Sequence, residues 1–197
     1  MSYRVFVAIN IPPDIKTLLS EYQERQKPKF KQVFGDKHSH LVRWTKMENL
    51  HLTLSFLGNI ESQKIEALSG VLKNSLEDET SFDFYLNKTF YAPPGKFPVK
   101  MIWLSVLLVP DLERIKKNID KSLENSDLFP FTGDKRGFKP HVTLARIKPG
   151  FTREELPEIE DSLDLNFRVE KIDLMSSVLK KQGPEYSVLK NFHLKDT

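Results

Sequence analysis

A chain of 197 residues, 39% hydrophobic and 29% charged, can bury a real core as one large domain or two closely joined lobes, and its composition excludes a disordered segment. With 30 basic against 27 acidic residues the formal net charge is only +3, which demands no nucleic-acid partner yet permits a local phosphate site. The absence of cysteine rules out disulfides and thiolate metal sites, no apolar run approaches the roughly 20 residues that cross a bilayer, and a cytoplasmic address is expected.

The chain enters directly on a strand, Tyr3 to Ile11, with no targeting segment expected before it. Pro12, Pro13 and Asp14 turn it, and Ile15, Leu18, Leu19 and Tyr22 then recur at helical spacing. Gln26 to Ser39 is polar and carries Pro28, Gly35 and Asp36, which predicts a loop. "HLTLSFLG", from His51, reads as a strand ended by Gly58 and Asn59. Ile65, Leu68, Val71, Leu72 and Leu76 predict an amphipathic helix after it. "SFDFYLNKTFYA" alternates as a strand, and "PPGKFP" breaks it.

The second half follows the same order. "KMIWLSV" is strand-like, Pro110-Asp111 turns the chain, and Leu112, Ile115, Ile119 and Leu123 share one helical face. A loop, "FTGDKRGFKP", leads into the strand "HVTLARIK" from His141. A short helix over "TREELPEIEDSL", strand-like "LNFRVEKIDLMSSVLKK" and a closing strand "YSVLKNFHL" complete it. Both halves thus run strand, Pro-Asp turn, helix, loop, His-x-Thr strand, helix, strand. This pattern predicts an internal duplication: an α+β fold of two pseudo-symmetric lobes, roughly residues 1–95 and 96–197, each a mostly antiparallel sheet with flanking helices around a central cleft. Exchange of strands between the lobes is left open.

Alternate strand residues share a face. His51, Thr53 and Ser55 therefore point one way, with Leu52, Leu54 and Phe56 directed to the core; His141, Thr143 and Ala145 oppose Val142 and Leu144. Two imidazoles beside two hydroxyls suit acid–base cleavage of a phosphodiester: one histidine neutral to take a proton, one charged to give one, and hydroxyls to hold phosphate oxygens. His38 and His40 have a chelating spacing but no evident third ligand, and His193 has no motif around it, so no metal site is expected. No Rossmann or P-loop glycine pattern is present, so no nucleotide cofactor is expected either.

The opening "RVFVAINIP", "HLTLSFLG", the central "IWLSV" and "KPHVTLARI" together resemble the 2H (two-histidine) phosphoesterases over nearly the whole chain. Within them the chain resembles the RNA 2′,3′-cyclic phosphodiesterases, also called 2′-5′ RNA ligases. That resemblance implies a metal-independent enzyme opening 2′,3′-cyclic phosphate RNA ends to 2′-phosphomonoesters, with reversible 2′-5′ ligation as a companion reaction. His51 would be the proton donor and His141 the proton acceptor, with Thr53, Thr143 and Arg146 binding the phosphate. Strict alternation sets Arg146 opposite His141, and a bulge or the strand's end would have to re-aim it.

Phe6 matches the family's first-strand aromatic for base stacking, and Trp44 and Trp103 are further candidates. Lys135, Arg136 and Lys139 could attract an RNA backbone. A monomer is the expected state. A nucleotide-binding module without turnover remains an alternative, as does a phosphodiesterase for a small cyclic nucleotide, an ADP-ribose cyclic phosphate or 2′-5′ oligoadenylate.

Overall fold

The computed structural model describes every residue except 1, 132, 134–136, 160, 181–182 and 197. Among the described residues, nine strands make one curled sheet in which all strand pairs are antiparallel. In chain order they are β1 (Ser2–Asn10), β2 (Val42–Trp44), β3 (His51–Glu61), β4 (Phe82–Ala92), β5 (Met101–Val106), β6 (His141–Ile147), β7 (Ser162–Val169), β8 (Lys171–Lys180) and β9 (Gly183–His193). Four α-helices accompany them: α1 (Pro13–Phe34), α2 (His38–Leu41), α3 (Ile65–Leu76) and α4 (Pro110–Glu124).

The sheet order is β7-β4-β5-β6-β3-β1-β8-β9, with β2 added on β6. The two His-x-Thr strands, β3 and β6, are the central neighbours, and Leu52 pairs with Val142 across the seam. Outward from β6 lie β5, β4 and β7; outward from β3 lie β1, β8 and β9. Strands therefore do not sort by chain half: β8 and β9 join β1 and β3, while β4 joins β5 and β6.

The helices cover one face of the sheet and enclose the core. Helix α1 starts on Pro13 at its first turn, with Asp14 near its N-terminus, both favoured there. It runs under the β4–β5–β6 half, where the Tyr22 hydroxyl lies 2.9 Å from the Thr89 hydroxyl. Helix α4 begins the same way on Pro110 and lies beneath β3, where Ser55 donates to Asp120 at 2.6 Å.

Three sequence expectations need correction. The predicted loop from Gln26 is instead the second half of α1, which continues through Pro28 to Phe34. Tertiary contacts override the polar composition: Gln26 donates to Asp161 at 2.9 Å, and buried Phe30 meets Trp44 edge-on at 5.6 Å. The helix expected over "TREELPEIEDSL" is irregular. Pro157 cannot donate within a helix, and the carbonyls of Pro157 and Ile159 instead accept from the Tyr91 and Tyr22 hydroxyls. Lastly, β3 does not end at Gly58. That glycine, at φ +77°, marks a bulge within the strand, between the Phe6–Phe56 and Val5–Gly58 pairs.

Candidate active site

The uncovered face of the sheet carries the polar residues of the motifs. The antiparallel sense of the Leu52–Val142 pair brings His51 across from Thr143, and His141 across from Thr53. Each imidazole is fixed in the same manner. Nδ1–H of His51 donates to the Asn49 carbonyl at 2.7 Å, and Nδ1–H of His141 donates to the Lys139 carbonyl at 2.7 Å. This leaves both Nε2 atoms for chemistry, as lone pair or as N–H according to charge. In the empty site, Nε2 of His51 accepts from the Thr53 hydroxyl at 3.0 Å.

Both strands depart from alternation immediately after the threonine. On β3, Val7 and Ala8 pair with Ser55 and Thr53, leaving Leu54 as an extra residue. On β6, Ile102 and Trp103 pair with Ala145 and Thr143, leaving Leu144 extra. A bulge reverses the facing of everything beyond it. Ser55, expected beside Thr53, turns into the core to meet Asp120, and Phe56, expected in the core, is 68% exposed on the site face. The corresponding reversal on β6 turns Arg146 onto the same face as His141, paired with Met101. The bulge carbonyl of Leu144 accepts from the Thr45 N–H at 2.8 Å and from the Gln23 amide at 2.9 Å.

The aromatic candidates separate. Phe6 lies on the site face but is buried beneath its neighbours, 5.1 Å from the His51 ring, 6.3 Å from Phe56 and 5.2 Å from Tyr186. Trp103 stacks flat on His141, with centroids 3.6 Å apart. Trp44 is not with them; it pairs with core-facing Ala145 and packs against Phe30. Lys135 and Arg136 lie outside the described residues, and Lys139 serves through its backbone carbonyl. His38 and His40 sit on α2, away from any acidic cluster. Among the described residues no group of three or more histidines and carboxylates is placed to hold a metal ion.

Four site-face residues escaped the sequence reading: Phe56, Arg43, Tyr186 and Asn10. Arg43 pairs with Arg146, so a second guanidinium faces the site. Tyr186 approaches His51 edge-on at 5.1 Å. Asn10, paired with His51, donates to buried Asp173 at 2.7 Å. Only Phe56 had a signal available: its equivalence to Arg146 in the repeat, which ties their facings together.

Electrostatics hold both histidines neutral in the empty site. Burial pushes His51 down to about 4, and the positive charges of Lys16 and Arg146 and the neighbouring His141 add to the effect, against the hydrogen bond to Asn49. Burial also lowers His141, with Arg146 adding to it. An anion between the two rings would oppose every one of these effects except the hydrogen bonds, raising both pKa values.

A sequence profile of the 2′-5′ RNA ligase superfamily matches residues 26–180. An RNA 2′,3′-cyclic phosphodiesterase of Thermotoga maritima is 30% identical over 94% of this chain and 92% of its own length. One of Methanocaldococcus jannaschii is 30% identical over 96% of this chain and 99% of its own. Among solved structures, TT0787 of Thermus thermophilus superposes with a TM-score of 0.80 at 26% identity, covering 98% of both chains. Escherichia coli LigT complexed with 3′-AMP shares the fold at a TM-score of 0.76 and 22% identity, covering 98% of this chain and 99% of that one. The seam of paired His-x-Thr strands thus sits in a fold and a sequence of one kind, and the chain belongs to the 2′-5′ RNA ligase superfamily.

Proposed function

We propose that this chain hydrolyses the 2′,3′-cyclic phosphate at an RNA 3′ end to a 2′-phosphomonoester, working in the cytoplasm. The observation that carries the reading is the seam itself: two imidazoles on adjacent strands, each anchored through Nδ1 at 2.7 Å so that Nε2 faces a shared site. Relatives named RNA 2′,3′-cyclic phosphodiesterase support the substrate class.

In this reading the phosphate sits between the rings, held by the hydroxyls of Thr53 and Thr143 and by the Arg146 guanidinium. Neutral His141 takes a proton from water as the water oxygen attacks phosphorus. The P–O3′ bond breaks in line with the attack, and His51 gives a proton to O3′, leaving the phosphate on O2′. The bound anion supplies the proton affinity that His51 lacks in the empty site. Exposed Phe56, backed by Phe6, offers the ring on which the terminal base stacks.

The test is to digest a short RNA bearing a cyclic end, in EDTA, and locate the phosphate by phosphorus NMR. A 2′-phosphate is expected as the predominant product, and turnover is expected to survive chelation because no step requires a Lewis acid. A predominant 3′-phosphate would reject the placement of acid and base about the ribose. Binding without turnover would reject the enzyme.

A further inference from the structure

Beyond His141, on the side away from His51, the site continues into a cavity of about 530 Å³ between the β4–β5 hairpin loop and the loop after β6. Phe90, Phe97, Val99, Lys96, Arg153 and Glu154 are among its lining residues. Phe90 pairs with Trp103 and meets it edge-on at 6.0 Å, and Trp103 lies flat on His141, so an unbroken aromatic row runs from the imidazole into the cavity. Thr143 and Phe90 are two strands apart, about 10 Å at ordinary strand spacing, within reach of one nucleotide. The mechanism of hydrolysis uses none of this. Phe97 is 69% exposed there, a ring with a free face in a wall that also carries two basic residues.

We propose that this cavity is an acceptor subsite, which seats the first nucleotide of a second RNA strand carrying a 5′-hydroxyl. This rests on the placement of His51 as acid and His141 as base in the proposed function. In-line displacement sets the nucleophile opposite the departing O3′, therefore on the His141 side, where the cavity lies. The strand's O5′ would take the position of water. Its proton passes to His141, the P–O5′ bond forms, the P–O3′ bond breaks, and O3′ takes a proton from His51. The phosphate remains on O2′, so the product is a 2′-5′ linkage beside a free 3′-hydroxyl.

The lining fits such a nucleotide. Aromatic rings accept any base, and Lys96 and Arg153 suit the phosphate that follows it. Arg153 lies 4.8 Å over the Tyr91 ring, which holds its charge at the wall. Glu154 is unfavourable to a 5′-phosphate and indifferent to a 5′-hydroxyl.

The experiment supplies a cyclic-ended RNA together with a 5′-hydroxyl trinucleotide, and measures hydrolysis and 2′-5′ joining in the same reaction. Joining should saturate with the trinucleotide. Phe97→Ala and Lys96→Ala should each leave hydrolysis within about twofold, and Phe97→Ala should raise the half-saturating trinucleotide concentration at least ~10-fold, the scale of one lost base stack. A 5′-phosphorylated trinucleotide should compete poorly. Joining untouched by either variant, hydrolysis falling in parallel with it, or hydrolysis with no joining at any trinucleotide concentration would each overturn the subsite. A wild-type chain that does not hydrolyse the cyclic end would overturn the proposed function first, and the subsite with it.

Discussion

Two histidines held alike need not act alike, and their roles separate by leaving group. Departure of O3′ from a cyclic phosphate needs a proton, whereas 4-nitrophenolate departs without one. With a nucleoside 2′-(4-nitrophenyl phosphate), His51→Ala should keep most of its activity while His141→Ala loses at least ~100-fold. The reverse pattern would exchange acid and base. The pH profile follows from the same burial. Both imidazoles lie below the ordinary 6.5, His51 at about 4, so the singly protonated free enzyme is most abundant below pH 6.5. The kcat/KM profile should be a bell that already falls with a slope near −1 by pH 7, and the kcat profile should sit higher because bound phosphate raises both groups. A kcat/KM plateau through pH 7.5 would contradict this electrostatic account.

At the scale of elements, the bulges after Thr53 and Thr143 decide which side chains reach the phosphate. Gln23 of α1 holds the second bulge through the Leu144 carbonyl. Gln23→Leu should weaken that hold and cost about 1–3 kcal/mol in stability, the range for an unsatisfied buried group. If the bulge serves Arg146, KM for cyclic-ended RNA should also rise, and Gln23→Glu, which keeps the shape but loses the donor, should not rescue it. An unchanged KM in a folded Gln23→Leu variant would confine Gln23 to stability.

This element also shows what a linear reading can reach. Alternation is reliable from His51 to Leu54 and from His141 to Leu144, so both histidines and both threonines are legible in the letters. Past Leu54 and Leu144 the parity reverses through tertiary hydrogen bonding, and Ser55, Phe56 and Arg146 change sides. The second half of α1 is hidden for a related reason. Its inward residues include Gln23 and Gln26, polar side chains whose partners are distant in sequence. Trp44 is misread because a strand of three residues has too little alternation to show a face.

For the whole molecule, matched bulges, matched Nδ1 anchors and a sheet that extends four strands to either side of the seam support descent by internal duplication. Placing the site on the seam makes stability and chemistry share the same two buried bases. The unfolded chain binds protons at histidine near pH 6.5, while folded His51 resists until about 4. The unfolded state therefore gains more protons as pH falls, so stability should be complete above pH 6.5 and decline toward pH 5. His51→Gln should flatten that decline in a thermal melt, and an equally steep decline in the variant would place its cause elsewhere.

The central claim is that the two seam histidines form one acid–base unit. Its most direct measurement is kcat on cyclic-ended RNA, in EDTA, for the wild type, His51→Ala, His141→Ala and the double variant. Each single change should lower kcat at least ~100-fold, and the double variant should lose far less than the product of the two. Near-wild-type turnover in either single variant, or losses that multiply in full, would contradict it.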